Sequence, residues 1–227
     1  MTSVVKKDMR FLLWQLIDSG FPAGAFAHSG GLEAGVQHGS VVAGSGVLSF
    51  ARQSLSQADR SALPLVTAAH SDPDRLPTLD ELTDVFLSNP VANRASRAQG
   101  RAFLTGAARS FPWTPAGSIG DRVRTDHLCG HYAPLFGVVF AALGVGLTDT
   151  QCAFLFMTIR GVASAAVRLG AITAYEAQEV QTMVAADIDR TIEQCGALTP
   201  AEIAQTAPLI DLCQSTHDRL YSRLFQS

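Results

Sequence analysis

The segment from Cys152 to Leu169 constrains the fold most, because it is apolar on almost every side. Its apolar run is interrupted mainly by Arg160 and Arg168. A helix that is hydrophobic all round is typical of the interior of a protein. The segment is therefore predicted to form a central helix that other helices surround.

Helix starts are marked by a Thr followed three residues later by Glu or Gln, which together satisfy two backbone donors. The pattern begins at Thr78, Thr148, Thr173 and Thr199. Apolar residues at helical spacing follow, whereas no alternation long enough for a strand is present. We predict an all-α, single-domain bundle over residues 1–227, with about eight to ten helices around the central one.

The predicted helices lie at 8–18, 29–38, 46–58, 62–70, 78–88, 91–110, 122–146 with a break, 149–170, 173–195, 200–206 and 209–224. Two Pro-, Gly- and Asp-rich stretches, Ser71 to Pro77 and Pro112 to Asp121, are predicted as loops. Both loops are too short to link independent domains.

Charge and apolar patterning argue against nucleic-acid binding, secretion and a membrane span. The chain has 17 Lys and Arg against 20 Asp and Glu, with no basic run, so nucleic acid is not an expected ligand. Met1 to Arg10 shows no secretory pattern. Tyr132 to Thr148 is uncharged but short and broken by Pro134, which predicts a buried helix and not a membrane span.

The four cysteines are widely spaced and form no C-x-x-C pair. They are expected to remain reduced, which fits the cytoplasm. The sequence also has no phosphate loop, dinucleotide fingerprint or H-E-x-x-H motif. We therefore expect neither an enzyme nor a bound cofactor.

Two segments of the sequence suggest alternative functional sites. Ser29 lies in a loose relative of the G-x-S-x-G motif of serine hydrolases, but a loop and not a strand is predicted before it. His127 and His131 would share a face on a continuous helix and could chelate a metal ion, with Cys129 pointing away as a packing residue. Two ligands do not make a closed metal site, so no metal site is assigned.

The stretch from Leu12 to Glu33 is the most informative. An amphipathic helix breaks near Gly20, and Ser29 is predicted to cap a second helix whose first positions are Gly30 and Gly31. Three interpretations remain open for this stretch: a partner-docking surface, an internal His–Glu pair that fixes the loop, and a catalytic loop. Periodicity does not distinguish them.

This stretch resembles the signature of the urease accessory protein UreF, D-S-x-F-P-x-G-x-[FY]-x-H-S-x-G-L-E. Every fixed position is filled, by Asp18, Ser19, Phe21, Pro22, Gly24, Phe26, His28, Ser29, Gly31, Leu32 and Glu33. A block from Asn93 to Gly100 agrees, as do His217 and the ending from Arg223 to Ser227. The resemblance spans most of the chain in order.

The resemblance implies an all-α accessory protein without chemistry of its own. Such proteins dimerise, bind UreD (also called UreH) and recruit the GTPase UreG, and the assembly delivers nickel to apo-urease. The implied partners are therefore UreD/UreH, UreG, apo-urease and a second copy of the chain. The alternative that this resemblance suggests is a direct nickel carrier that uses His127 and His131.

The resemblance also implies which residues bind partners. The segment from Phe26 to Glu33 corresponds to a surface that faces the GTPase, and residues 212–227 correspond to a docking tail with Arg223 as polar anchor. The implied partner-binding residues are Phe26, His28, Ser29, Gly31, Glu33, His217, Arg223, Leu224 and Phe225.

Overall fold

The computed structural model describes residues 9–227, with side chains from residue 11 onward. The region from Met1 to Arg10, for which no secretory pattern is expected, and the start of the first predicted helix lie largely outside the described residues. Within the described chain there are eleven α-helices and no strand, which confirms the all-α prediction.

The α-helices are α1 Met9–Leu16, α2 Leu32–Gln37, α3 Ser45–Ser61, α4 Leu63–Ser71, α5 Leu76–Phe86, α6 Pro90–Ser110, α7 Ala116–Thr125, α8 Tyr132–Ala142, α9 Leu147–Arg168, α10 Ala174–Cys195 and α11 Pro208–Thr216. Short 3₁₀ turns occupy Ala25–Ala27, Pro73–Arg75, Pro200–Glu202 and His217–Arg219.

Helix α9 is the predicted central helix and packs against α2, α3, α4, α8 and α10. It is long and apolar enough to cross a membrane by those two criteria, but 61% of its most apolar stretch is buried inside the protein, as in a core helix. Helix α8 is shorter and equally enclosed, mainly by α4 and α6. Phe136 and Phe140 of α8 stack with ring centroids 4.1 Å apart and contact Phe103 of α6.

Two of the four predicted capping patterns form. Thr173 caps α10 and Thr199 caps the short turn after it, each with its glutamate reaching back to the Thr backbone. Helices α5 and α9 instead begin at Leu76 and Leu147, so Thr78 and Thr148 lie inside the first turn. Pro77 at the second position of α5 favours the earlier start. Proline lacks a backbone N–H, and an N–H in the first turn of a helix would have no acceptor within the helix.

The predicted loop from Pro112 to Asp121 is wrong, because most of it belongs to α7. Ala116, Ile119 and Val123 are buried at helical spacing, and their burial outweighs the two glycines in the helix. The last predicted helix is too long. It ends at Thr216, and a 3₁₀ turn and an extended tail follow.

Helix α6 brings distant segments together at Gly100. A Cβ atom at this position would collide with the backbone of Gly130 to Tyr132, so the glycine permits a close approach. At the start of the same helix, Arg94 donates to the Asp218 carboxylate at 2.6 Å. One helix therefore contacts both the start of α8 and the C-terminal tail.

Candidate functional site

The loop before α2 is shaped by glycines with left-handed backbone. Gly30 has φ of +62° and Gly31 has φ of +92°, conformations that residues with a Cβ rarely adopt. Helix α2 begins only at Leu32, with Gly31 preceding it. The prediction that Ser29 caps the helix, with Gly30 and Gly31 in its first turn, is therefore wrong.

Gly31 also lies in close contact with α11. A Cβ atom there would stand 3.0 Å from the backbone nitrogen of Gln214 and 3.2 Å from the carbonyl oxygen of Ile210. The residue is buried. Gly31 thus serves two purposes, since it turns the chain and lets α11 approach the loop.

The end of the chain pairs with this loop through its backbone. The Ser29 N–H donates to the Ser227 carbonyl oxygen at 2.6 Å, and the Gln226 N–H donates to the Ala27 carbonyl oxygen at 2.8 Å. The Ser29 hydroxyl adds a bond to Ser227 O at 3.1 Å. We call residues 24–33 together with residues 217–227 the loop–tail joint.

Glu33 is the buried centre of the loop–tail joint. Its carboxylate accepts hydrogen bonds from His217 Nε2 at 2.9 Å, from the Leu224 N–H at 2.6 Å and from the Phe225 N–H at 3.2 Å. Glu33 is 2% exposed and His217 is fully buried. A buried carboxylate requires such donors, so Glu33 fixes the tail at Leu224 and Phe225, next to the backbone bonds at Ser29 and Ala27.

An internal His–Glu pair therefore exists, and the histidine is His217. His28, the histidine that lies within the loop itself, instead places Nδ1 at 2.6 Å from the Ser227 hydroxyl. Burial lowers the pKa of His28 from its ordinary value, and His217 nearby lowers it further. The neutral form of His28 is thus favoured in the folded protein.

Arg168 completes the joint from the end of α9. Its guanidinium carbon lies 3.7 Å from the centre of the Phe26 ring and 4.2 Å from that of Phe225, and the group also donates to the Phe26 carbonyl oxygen. Cation–π contacts of this kind hold aromatic rings in a fixed orientation. Sequence reasoning did not assign Arg168 to the site. The sequence feature that could have pointed to Arg168 is its positive charge at the end of an otherwise apolar helix.

The predicted partner-binding residues divide into two groups. Phe26, Arg223 and Leu224 are exposed, whereas Ser29, Gly31, Glu33, His217 and Phe225 are buried and His28 is half-buried. The structure brings all of them into the loop–tail joint. The exposed members lie on its outer surface and the buried members connect the two segments.

The geometry at Ser29 does not resemble a hydrolase site. The residue is 2% exposed, and its hydroxyl donates to a backbone carbonyl oxygen. A nucleophilic serine needs a base to accept that proton. The residues before it form a 3₁₀ turn instead of the strand that the nucleophile elbow requires.

The two histidines considered as nickel ligands do not share a helix face. His127 is exposed in the turn after α7, with φ of +53°, and His131 is buried just before α8. Both ring nitrogens of His131 are engaged at 3.1 Å, Nδ1 with Ser96 Oγ and Nε2 with Asp84 Oδ1. The break between α7 and α8 separates the pair.

Comparison with known proteins shows the family of this chain. The family model described as UreF matches residues 42–185. The chain belongs to the UreF family of urease accessory proteins. Its role therefore lies in urease maturation.

Curated UreF relatives extend the match to nearly the whole chain. Urease accessory protein F of Oryza sativa subsp. indica is 38% identical, covering 93% of this chain and 83% of the relative. The Arabidopsis thaliana protein is 35% identical over 96% of this chain and 93% of its own length. Urease accessory protein UreF of Arthrobacter sp. (strain FB24) is 29% identical over 95% of this chain and 96% of its own length.

Proposed function

We propose that this chain is a non-enzymatic scaffold that binds UreD/UreH, recruits the GTPase UreG and supports nickel delivery to apo-urease. The observation that carries the proposal is the outer surface of the loop–tail joint. This surface presents exposed apolar side chains, and the buried hydrogen bonds of Glu33 fix the backbone that carries them.

The exposure on this surface is unusual for large apolar residues. Phe26 is 67% exposed, Leu224 is 53% exposed and Tyr221 is fully exposed. All three belong to the loop–tail joint, and exposed aromatic and aliphatic groups are typical of docking surfaces. Arg223, whose side chain is 46% exposed beside Asp218, supplies a charged group on the same tail.

Rigidity of the loop–tail joint favours binding. A docking segment that is disordered before binding loses conformational entropy when a partner orders it, and this reduces affinity. Here Glu33 and Arg168 already hold the tail against the loop. A partner would therefore meet a preformed surface.

We also propose that two copies of the chain associate and that they act in the cytoplasm. A second group of exposed apolar residues, Val42, Leu209 and Leu212, lines a groove of about 460 Å³ between α3 and α11, and suits contact with a second copy. The four cysteines, all among the described residues, are free thiols, which suits a reducing compartment.

The docking proposal is tested by co-expression with cognate UreD/UreH and UreG, followed by size-exclusion chromatography. The unaltered chain should elute together with both partners. The double variant Phe26→Ala with Leu224→Ala should elute alone while retaining its helical circular dichroism. Val85→Ala is the matched control, because Val85 is 74% exposed on α5.

Co-elution of the double variant at the level of the unaltered chain would reject this surface as the docking site. Failure of the unaltered, well-folded chain to bind either partner would reject the scaffold proposal itself.

A further inference from the structure

We propose that Asp84, Cys129 and His131 form a binding site for a borderline divalent metal cation such as Zn²⁺. Each offers one ligand atom, a carboxylate oxygen, a thiol sulfur and an imidazole nitrogen, and these atoms lie within 4.8 Å of one another. Among the described residues this is the one such group of three. A mixed thiolate, imidazole and carboxylate set suits Zn²⁺ and similar ions.

The spacing fits a single ion. Metal–ligand distances of about 2.0–2.3 Å place two ligands of a tetrahedral ion about 3.3–3.8 Å apart. His131 Nε2 and Asp84 Oδ1 are already 3.1 Å apart. No two of the three ligand atoms are more than 4.8 Å apart, so small side-chain rotations would bring them to this spacing.

The backbone that carries two of the ligands is fixed by Asp80. This buried carboxylate accepts hydrogen bonds from the N–H groups of Cys129 at 2.6 Å, Gly130 at 3.1 Å and His131 at 2.7 Å. Three successive amides are thereby held around one side chain. The loop is consequently ordered before any ion binds.

Outer hydrogen bonds orient the ligand side chains, as in established metal sites. His131 Nδ1 lies 3.1 Å from Ser96 Oγ, which leaves Nε2 directed at Asp84. Asn93 donates to Asp84 Oδ1 at 2.9 Å. A bound ion would replace the hydrogen bond between His131 and Asp84, and the outer bonds would keep both groups in position.

The charges around the group match a divalent ion. Asp80 and Asp84 carry two negative charges, a Cys129 thiolate would add a third, and Arg97 nearby carries one positive charge. Without an ion, burial raises the pKa of the Cys129 thiol, and Asp84 raises it further. A divalent cation would neutralise the net charge and stabilise the thiolate.

The group is accessible from one side. The Asp84 side chain is 40% exposed and Cys129 is partly exposed, whereas His131 is buried. An ion could enter along Asp84, and a water molecule could occupy the fourth position. The loop–tail joint is built from other residues, so failure of either proposal leaves the other intact.

Titration of the purified full chain with Co²⁺ tests the site, since Co²⁺ bound to a thiolate absorbs in the near ultraviolet. We expect one thiolate-bound Co²⁺ per chain, displaced by Zn²⁺ and Ni²⁺ but not by Mg²⁺. The band should disappear in Cys129→Ala, and Asp84→Asn should weaken binding at least ten-fold. The band should persist in Cys152→Ala and His127→Ala, which alter exposed residues outside the group.

A second measurement avoids any variant that fails to fold. Alkylation of Cys129 in the unaltered chain should slow at least ten-fold when Zn²⁺ is added, while alkylation of Cys152 stays unchanged. Absence of the Co²⁺ band in the unaltered chain, its persistence in Cys129→Ala, or equal protection of both thiols would overturn the proposal.

Discussion

The carboxylate of Glu33 and the imidazole of His217 meet at 2.9 Å in the interior, although 184 residues separate them in the sequence. His217 Nδ1 is buried without a hydrogen-bond partner among the described residues. Among these residues, His217 therefore forms a hydrogen bond through Nε2 only, with Glu33. Since Glu33 also accepts two tail amides, it couples the loop before α2 to the end of the chain.

Replacement of Glu33 by Gln should release the tail. The amide lacks the charge and cannot accept all three hydrogen bonds, so buried donors lose their partner, and we expect a loss of about 2–4 kcal/mol in the free energy of unfolding. Hydrogen exchange should accelerate at the Leu224 and Phe225 amides. Glu179→Gln, on the exposed face of α10, should change stability by less than about 0.5 kcal/mol. Unchanged exchange at Leu224 and Phe225 would contradict the role of Glu33.

Two adjacent glycines allow a matched comparison. A Cβ at Gly30 meets nothing within 4 Å, whereas one at Gly31 approaches the α11 backbone. Both residues have left-handed backbone, so Gly30→Ala should cost about 1 kcal/mol from conformation alone. Gly31→Ala should cost about 1–3 kcal/mol more from overpacking, as measured by chemical denaturation. An equal loss in the free energy of unfolding for both variants would show that a Cβ at Gly31 does not collide with α11.

The burial of Asp59 predicts that the free energy of unfolding depends on pH. Burial raises the pKa of Asp59 from 3.8 to about 6, against the opposing effect of Arg60, and Oδ1 is buried without a partner among the described residues. A carboxyl group whose pKa is raised on folding binds its proton more tightly in the folded state. Its contribution therefore favours folding at low pH and is lost as the pH rises through about 6.

Asp59→Asn should accordingly stabilise the protein at pH 8 and have little effect at pH 4. With allowance for solvent screening of a half-buried group, the gain at pH 8 is expected to be about 1 kcal/mol. Thermal unfolding at both pH values measures it. Asp189→Asn, at an exposed position on α10, is the control and should show no such difference. The same effect at both pH values would exclude titration of Asp59 as the cause.

Arg223 should matter for binding and not for folding. Its guanidinium lies 3.5 Å from the Asp218 carboxylate in an exposed pair, which contributes less than about 1 kcal/mol to stability. Arg223→Ala should therefore unfold at the same temperature but lose co-elution with UreD/UreH and UreG. Arg219→Ala removes another exposed charge from the tail and should keep the complex. Complex formation by both variants would remove Arg223 from the docking surface.

The helices that sequence predicted well are those whose signals are local. The capping Thr173 and the apolar spacing of α9 each lie within one element, so neighbouring residues suffice to reveal them. The first part of helix α7, from Ala116 to Asp121, was predicted as a loop because its two glycines and the prolines before it concealed the spacing of Ile119 and Val123. That spacing is visible in the sequence and would have predicted the helix.

The tail was mispredicted for a different reason. Leu220 and Leu224 continue a helical spacing, but Glu33 takes the Leu224 and Phe225 amides that a helix would use. Periodicity reports on neighbours along the chain and contains no information about such a distant acceptor. The resemblance to UreF placed both segments in one functional group, while only the structure revealed that they touch.

Hydrogen exchange of the chain, free and in complex with UreD/UreH and UreG, tests the central claim most directly. If the loop–tail joint is the docking surface, amides in residues 24–31 and 218–226 should become at least ten-fold more protected in the complex. Amides of the exposed face of α10 should be unchanged. Protection confined to α10 or other faces, with the joint exchanging as in the free chain, would contradict the account.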